Sequence, residues 1–251
     1  MTENMVGKVA LVTGAGSGIG RAIALAFAHV GAHVVVADNS SERGQETIRL
    51  IREAAGKATY RFCDVSRGED VRAMIDAIVN EFGRLDYACN NAGIHNPTPE
   101  PLIEADEAMW DRIIAVNLKG VFLCMKHEVR LMLGQGHGVI VNIASLAGIL
   151  AESGCYAYVA AKHGIMGLTK TAAFDYANKG IRINAVCPAA IDTPGLSDAP
   201  EEFRRRLKET TPAGRIGRPE EVASAVLWLC SDLAGFVTGA GIVMDGGVST
   251  V

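Results

Sequence analysis

Tyr158 and Lys162 lie four residues apart in a stretch whose composition is typical of a helix. Residues i and i+4 share one face of a helix, so the phenol and the ammonium group would be neighbours. A positive charge beside a phenol favours the phenolate and lowers the pKa of tyrosine from its ordinary value near ~10. The pair therefore predicts a side chain that can give and take a proton near neutral pH. A surface tyrosine beside a solvated lysine is the alternative interpretation of this spacing.

A glycine-rich turn at residues 13–20 has the composition of a phosphate-binding loop. It follows an apolar run at residues 8–12, which is typical of a strand buried on both faces of a parallel sheet. The spacing of Gly14, Gly18 and Gly20 differs from the common GxGxxG pattern. Both spacings can serve the same purpose, because glycines let the backbone approach a pyrophosphate at the N-terminus of the following helix. Glycines needed only for a tight turn are the alternative.

Asp38 ends the predicted second strand, 18 residues after Gly20 (38 − 20). A carboxylate at this position can accept a hydrogen bond from an adenosine ribose hydroxyl and would repel a 2′-phosphate. Neither Ser17 nor Asn39 supplies a cation that would attract such a phosphate. The pattern therefore favours NAD over NADP, while the nearby Arg43 keeps NADP as an alternative.

Strands and helices alternate along the chain and are joined by short segments that carry glycine or aspartate. Predicted strands cover residues 8–12, 33–37, 58–63, 86–89, 138–143, 181–186 and 242–244. Predicted helices cover residues 21–29, 42–53, 69–82, 108–116, 118–133, 156–178 and 220–229. This alternation is typical of βαβ units and predicts an α/β fold with a doubly wound parallel sheet.

The organisation of the sequence predicts a single domain, residues 1–251, because no linker or repeat interrupts the pattern. The long irregular stretch is residues 189–218, which holds one predicted helical segment at residues 201–208. Inside a compact domain such a stretch is usually a binding loop, so we expect it to be a substrate lid.

The composition excludes several classes of function. The net charge is −4 and the longest basic run is residues 204–206, so we expect no nucleic-acid partner. Because no apolar run reaches ~18 residues and no signal peptide is recognisable, we expect a cytoplasmic protein that does not bind membranes. The six cysteines form no CxxC pair, which predicts buried free thiols and no metal site.

Five motifs in register resemble the short-chain dehydrogenases/reductases of the classical type. They are residues 13–20, Asn90-Asn91-Ala92-Gly93, Asn117, Ser145 and Tyr158-x-x-x-Lys162. The resemblance covers residues 7–247 and implies a Rossmann-type sheet of about seven strands flanked by helices. It also implies a homo-tetramer, with residues 164–176 and the last strand at its interfaces.

The resemblance implies a catalytic set of four residues. Tyr158 would be the general acid/base, and Lys162 would lower its pKa and bind the nicotinamide ribose. Ser145 would hydrogen-bond the substrate oxygen, and Asn117 would anchor a water that passes the proton to solvent. These roles suit hydride transfer to a ketone. That step produces an alkoxide, which requires hydrogen-bond donors and then a proton. A strand-end cap for Ser145 and a bond to a helix kink for Asn117 are the alternatives.

The resemblance also implies the contacts of the dinucleotide. Asp64 and Val65 would contact the adenine, with a turn-stabilising role as the alternative for Asp64, and Ile191 and Thr193 would hold the carboxamide. The full predicted set is Gly14, Ser17, Gly18, Ile19, Gly20, Asp38, Asp64, Val65, Asn91, Ala92, Gly93, Tyr158, Lys162, Pro188, Ile191 and Thr193. Ala189 stands where the family commonly has glycine, and its methyl group is expected to reshape the floor of the pocket.

The residues expected to face the substrate are mostly apolar. They are Ile94, His95, Leu146, Ala147, Leu150, Glu152, Cys155, Ala190 and Leu196. They favour a secondary alcohol or ketone of modest size, apolar or cyclic, as the substrate of an NAD-dependent oxidoreductase. An NADPH-dependent 3-oxoacyl reductase of the same family is the alternative, and a non-catalytic NAD sensor is the alternative from another class. A methyltransferase would have no use for Ser145, Tyr158 and Lys162 in register.

Overall fold

Seven parallel strands form one sheet in the computed structural model of the protein, which describes residues 4–96 and 98–250. The strands are β1 (Val9–Thr13), β2 (His33–Asp38), β3 (Lys57–Phe62), β4 (Tyr87–Asn90), β5 (Gly138–Ile143), β6 (Ile181–Pro188) and β7 (Gly241–Met244). Their order across the sheet is β3-β2-β1-β4-β5-β6-β7. The predicted α/β fold with a doubly wound parallel sheet is confirmed.

Helices cover both faces of the sheet. They are α1 (Gly18–His29), α2 (Ser41–Glu53), α3 (Gly68–Phe82), α4 (Glu107–Ile113), α5 (Gly120–Gln135), α6 (Tyr156–Tyr176), α7 (Pro194–Ser197), α8 (Glu201–Thr210) and α9 (Pro219–Cys230). The predicted helices agree with these bounds to within a few residues, apart from one join. The chain between α4 and α5 is a π-helical segment, Ile114–Lys119, where the sequence suggested a simple break at Asn117.

The apolar strands are buried on both faces, which explains their continuous hydrophobic composition. Along β1, Ala10 and Val12 face one core layer with helices α1, α2 and α9. Val9 and Leu11 face the opposite layer, with helices α3, α5 and α6. Successive side chains of a strand point to opposite faces, so one short run fills both layers.

The order of the strands reverses between β1 and β4, which are neighbours although β2 and β3 separate them in sequence. In a doubly wound sheet, connections on either side of this point leave in opposite directions and open a crevice at the carboxyl ends of the strands. The irregular segment 189–218 follows β6 at the same end and carries α7 and α8, of which only α8 was predicted.

Two expectations from composition can be compared with the structure. The six cysteines are buried and free. No helix within residues 4–96 and 98–250 is both long enough and apolar enough to cross a lipid bilayer.

Candidate active site

A cavity of about 690 Å³ occupies the crevice at the carboxyl ends of the strands. Most of the residues predicted to bind the cofactor or to act in catalysis line it together. They are Gly14, Ser17, Gly18, Ile19, Gly20, Asp38, Asp64, Val65, Asn91, Ala92, Gly93, His95, Ser145, Tyr158, Lys162, Pro188 and Thr193. Residues from the ends of six strands, β1 to β6, and from α6 thus converge on one space.

The glycine-rich turn packs so closely against the loop after β4 that side chains would not fit. Gly14 has a φ of +61°, and a Cβ there would lie 2.8 Å from Cα of Ala92. A Cβ on Gly20 would clash with the carbonyl oxygen of Gly14. The side-chain Nδ2 of Asn91 donates to the carbonyl oxygens of Thr13 at 3.0 Å and Gly14 at 3.1 Å. The turn therefore brings bare backbone to the cavity at the start of α1, as an anion-binding helix N-terminus requires.

Asp38 is fixed by backbone hydrogen bonds at the end of β2. One carboxylate oxygen accepts from the N–H of Gly16 at 2.9 Å, and the other accepts from the N–H of Ser40 at 2.9 Å. The guanidinium of Arg43 lies 3.5 Å from the second oxygen and also lines the cavity. The end of β2 thus presents a fixed carboxylate to the cavity, with one cation beside it.

Asp64 serves the turn after β3 as well as the cavity. Its Oδ1 accepts from the N–H of Ser66 at 3.0 Å and from the hydroxyl of Ser66 at 2.7 Å. The turn-stabilising alternative for Asp64 therefore applies together with its position on the cavity wall.

The surroundings of Tyr158 raise the pKa of its phenol. Burial is the main cause and raises this pKa to about 12, while a hydrogen bond with Ser145 acts in the opposite direction. Lys162 Nζ is 5.5 Å from the centroid of the Tyr158 ring but donates its hydrogen bond to the carbonyl oxygen of Ile143 at 2.8 Å. The expected lowering of the tyrosine pKa is therefore wrong for this arrangement, because burial outweighs an ammonium group that is directed at the end of β5. Burial also lowers the pKa of Lys162 to about 8.

Ser145 follows β5 and precedes a short 3₁₀ turn, Leu146–Gly148. Its hydroxyl oxygen accepts from the N–H of Ala147 at 3.1 Å, which fixes the side chain as a cap on that turn. The same hydroxyl faces Tyr158. In this one rotamer the Ser145 hydroxyl both caps the turn and lines the cavity. The cap interpretation is therefore compatible with a role in the site.

Asn117 lies in the middle of the π-helical segment, fully buried, and its side chain reaches the loop after β4. Its Oδ1 accepts from the N–H of Ile94 at 2.8 Å, and its Nδ2 donates to the carbonyl oxygen of Ile94 at 2.8 Å. Both polar atoms are therefore used to hold the cavity wall. The alternative interpretation, in which the Asn117 side chain bonds the backbone at a helix kink, is partly correct. The side chain does bond backbone groups, but they belong to the loop after β4.

His95 lies against Tyr158, with ring centroids 4.3 Å apart. Its Nδ1 is 2.9 Å from the carbonyl oxygen of Asn96, and its Nε2 is 3.3 Å from a carboxylate oxygen of Glu152. Both ring nitrogens face acceptors, so a proton on each is favoured. The hydrogen bond with Glu152 accordingly raises the pKa of His95.

Several predicted residues lie off this cavity. Ile191 is 8% exposed, packs into the core and pairs with Gly217 in a bridge. With Ala190 it lines a separate cavity of about 150 Å³ between the lid and the end of β7. The remaining predicted substrate residues that do not line the larger cavity are Leu146, Ala147, Leu150, Glu152, Cys155 and Leu196. Their contact with substrate stays a prediction.

Nine lining residues escaped the sequence analysis, namely Cys63, Ser66, Arg112, Ala115, Val116, Ile143, Ala144, Pro194 and Gly195. Cys63 and Ser66 flank the predicted pair Asp64 and Val65. Their position after the predicted third strand could therefore have placed them at the cavity as well. Arg112 belongs to α4, and the π-helical segment that follows decides which way this helix turns. No local pattern marks such a segment.

Comparison with known proteins places the chain in a family. The family model described as Enoyl-(Acyl carrier protein) reductase matches residues 14–249. A cyclohexanol dehydrogenase from Acinetobacter sp. (strain SE19) is 46% identical over 249 residues, covering 98% of this chain and 96% of that protein. A cis-4-hydroxycyclohexanecarboxylate dehydrogenase from Sinomonas cyclohexanicum is 43% identical over 251 residues, covering 100% of both.

Solved structures agree with these relatives. Levodione reductase superposes with a TM-score of 0.95 at 36% identity, covering 98% of this chain and 99% of that chain. A gluconate 5-dehydrogenase from Burkholderia cenocepacia J2315, in complex with NADP and tartrate, superposes with a TM-score of 0.92 at 34% identity, covering 99% and 97%. The protein belongs to the short-chain dehydrogenases/reductases and is an oxidoreductase of that family.

Proposed function

We propose that the protein transfers a hydride between NAD(H) and a secondary alcohol or ketone of modest size, with a cyclic compound as the preferred substrate. The observation that carries this proposal is a single cavity lined by both the glycine-rich turn and the group Ser145, Tyr158 and Lys162. A dinucleotide site and a proton donor must share one space for hydride and proton to reach the same carbonyl group.

The residues present fit a nicotinamide dinucleotide. The bare backbone of the turn would hold the pyrophosphate, Asp38 the adenosine ribose, and Asp64 with Val65 the adenine. When bound, the nicotinamide supplies or accepts the hydride.

The polar groups of the chain would handle the proton. Ser145 would donate to the carbonyl oxygen of a ketone, and Tyr158, whose phenol is protonated at neutral pH, would deliver a proton to the developing alkoxide. In the oxidative direction Tyr158 would first release its own proton to solvent, and the phenolate would then take the proton of the alcohol.

The preference for NAD rests on Asp38. Two backbone N–H groups fix its carboxylate at the end of β2. A 2′-phosphate bound beside it would be repelled, because like charges at a few ångströms disfavour each other. Arg43 supports NADP as the alternative, since it is 3.5 Å from Asp38 and could turn to a phosphate. The NADP bound to the related gluconate 5-dehydrogenase is a second observation that supports this alternative.

The preference for cyclic substrates is supported by the names of two relatives, both of which act on ring alcohols. Apolar and aromatic walls, including Ile94 and the ring of His95, bound the part of the cavity next to Tyr158. The exposed apolar side chains Phe174 and Phe236 support the proposed homo-tetramer, because they lie in or beside the segments expected at its interfaces. A cytoplasmic location stays a prediction.

Steady-state oxidation of NADH with cyclohexanone, its ring-substituted analogues and an open-chain ketone tests the proposal. We expect turnover with the cyclic ketones, and a kcat at least about 100-fold lower for Tyr158→Phe, the range in which general acids contribute. Tyr156→Phe is the matched control, because Tyr156 begins the same helix but does not line the cavity. Equal losses in both variants would contradict the assignment of Tyr158.

The two alternatives give different results in the same assay. A 3-oxoacyl reductase would reduce an acetoacetyl thioester with NADPH far better than any simple ketone. A non-catalytic sensor would bind NADH without oxidising it with any compound of the panel.

A further inference from the structure

Three metal-ligating side chains meet at the substrate side of Tyr158. His95 comes from the loop after β4, and Glu152 and Cys155 come from the loop before α6. One ligand atom from each, namely the imidazole nitrogen, the carboxylate oxygen and the thiol sulfur, lies within 4.8 Å of the other two. The imidazole and the carboxylate are already 3.3 Å apart. Among the described residues this is the one group of three or more such side chains.

The orientation of His95 is the one that metal-ligating histidines usually have. Its Nδ1 lies 2.9 Å from the backbone carbonyl oxygen of Asn96, which leaves Nε2 directed at the group. A hydrogen bond from the far ring nitrogen to a carbonyl fixes the tautomer and the ring plane of a ligand. The ring is also held by its contact with Tyr158 at 4.3 Å between centroids. The ligand is therefore preorganised by two contacts outside the group.

We propose that His95, Glu152 and Cys155 form a binding site for a zinc-like divalent cation. Thiolate, imidazole and carboxylate are the ligands that zinc prefers, whereas magnesium and calcium take oxygen ligands. In a tetrahedral zinc site with bonds of about 2.0–2.3 Å, ligand atoms are roughly 3.3–3.8 Å apart. The group must therefore contract by up to about 1.5 Å, which side-chain rotation can supply.

Two of the three side chains are partly exposed, so an ion in solution can reach the group. Side chains of His95 and Glu152 are 46% and 43% exposed, which gives an entry path from solvent. Cys155 is 1% exposed and directly precedes the first residue of α6. Burial and the neighbouring Glu152 raise the pKa of its thiol to about 11, so the ion must displace the thiol proton as it binds. On binding, the thiol proton and the Nε2 proton pass to solvent and two metal–ligand bonds form in their place. A solvent molecule completes the coordination, and no oxidation or reduction is involved.

Calorimetric titration of the full chain with Zn²⁺, at about pH 8 so that release of the ligand protons on binding is favoured, tests the site without any dependence on turnover. Titration with Co²⁺ adds a spectroscopic readout, because a thiolate ligand gives cobalt a sulfur-to-metal charge-transfer absorption. We expect one ion per chain and a charge-transfer band that Cys155→Ser abolishes. Glu152→Gln should weaken binding more than about tenfold, the least that loss of a supporting group costs a metal site.

His163→Asn is the matched control, because His163 is exposed on α6 and bonds only its own helix, through the carbonyl oxygen of Val159. It should bind Zn²⁺ as the unaltered protein does. A cobalt spectrum without the charge-transfer band, a band that survives in Cys155→Ser, or equal weakening in His163→Asn would overturn the proposal. Should Cys155→Ser fail to fold, Glu152→Gln decides alone, since its side chain is at the surface.

Bound there, the cation would sit beside the proposed proton donor. We therefore expect Zn²⁺ to inhibit any ketone reduction competitively with the ketone and EDTA to restore it. Failure of the dehydrogenase proposal would leave the binding measurements interpretable, because they need no substrate.

Discussion

At the level of single residues, burial dominates the chemistry of the proposed proton donor. Burial raises the pKa of the Tyr158 phenol to about 12, and the hydrogen bond with Ser145 offsets only part of this effect. Lys162 is buried too, so its own pKa falls to about 8, and its ammonium group bonds a backbone carbonyl. The arrangement holds the phenol ready to donate a proton, as reduction of a ketone requires.

Asp38 offers a residue-scale test of cofactor choice. Asp38→Asn keeps the shape of the side chain but removes the charge, which leaves Arg43 free to meet a 2′-phosphate. We expect the ratio of kcat/KM for NADH to that for NADPH to fall by roughly 10–100-fold, the equivalent of one charge-assisted hydrogen bond of about 1.5–3 kcal/mol. Initial rates with both cofactors at a fixed ketone concentration give this ratio.

Arg43→Met serves as the partner variant in a double-mutant cycle. If Arg43 captures the phosphate, the double variant should lose the gain in NADPH use that Asp38→Asn provides. A protein that already prefers NADPH, or an equal loss with both cofactors in Asp38→Asn, would refute the role assigned to the carboxylate.

At the level of elements, the π-helical segment Ile114–Lys119 positions the site without a sequence signal of its own. It contains no proline or glycine, the residues that usually mark an interruption of a helix. What holds it is tertiary, namely the two hydrogen bonds from Asn117 to the backbone of Ile94. Periodicity could therefore predict two helices around Asn117 but not the wide turn between them.

Removing the Asn117 side chain tests this element. Asn117→Ala leaves the N–H and the carbonyl oxygen of Ile94 unpaired in a buried place, so we expect the free energy of unfolding to fall by about 1–3 kcal/mol. Urea denaturation measures it. Asn39→Ala, at an exposed asparagine beside the same cavity, should change it by less than about 0.5 kcal/mol. An unaltered midpoint in Asn117→Ala would mean that these bonds do not hold the segment.

Regular elements and glycine turns were predictable because their causes are local. Strands of the parallel sheet are short apolar runs, and the turn at Gly14 requires a positive φ, so composition marks both. Contacts between distant segments were not predictable in the same way. His95 and Glu152 are 57 residues apart (152 − 95), and only the fold brings them to 3.3 Å. The sequence analysis therefore did not bring His95, Glu152 and Cys155 together, although it named each of them separately.

At the level of the whole molecule, a buried polar chain ties helices to the centre of the sheet. Asn90 of β4 donates from Nδ2 to Glu128 of α5 at 3.0 Å and to Asn142 of β5 at 3.0 Å. Asn142 in turn donates to the hydroxyl of Thr169 in α6 at 2.9 Å. Within the described part of the chain, Glu128 Oε1 and Asn90 Oδ1 have no hydrogen-bond partner. A proton on the carboxyl group of Glu128 would supply the missing donor.

Glu128 makes the stability of the molecule depend on pH. Burial raises the pKa of its carboxyl group from 4.5 to about 7. The folded protein therefore holds a proton that the unfolded chain releases above pH 4.5, so stability is highest below that value and falls as pH rises to about 7. The loss amounts to about 3 kcal/mol, at about 1.4 kcal/mol for each pH unit in this window. Above this window no further change is expected from Glu128.

Comparison with Glu128→Gln isolates this effect from all other titrating groups. The amide cannot ionise, so the free energy of unfolding of the unaltered protein, relative to the variant, should fall by about 3 kcal/mol between pH 4.5 and pH 7. Urea denaturation at several pH values gives the difference. Glu209→Gln, at a carboxylate on the surface of the lid, should leave the profile unchanged. A constant difference between the protein and Glu128→Gln would show that the buried carboxyl group is ionised throughout, and that the polar chain carries a charge through the core.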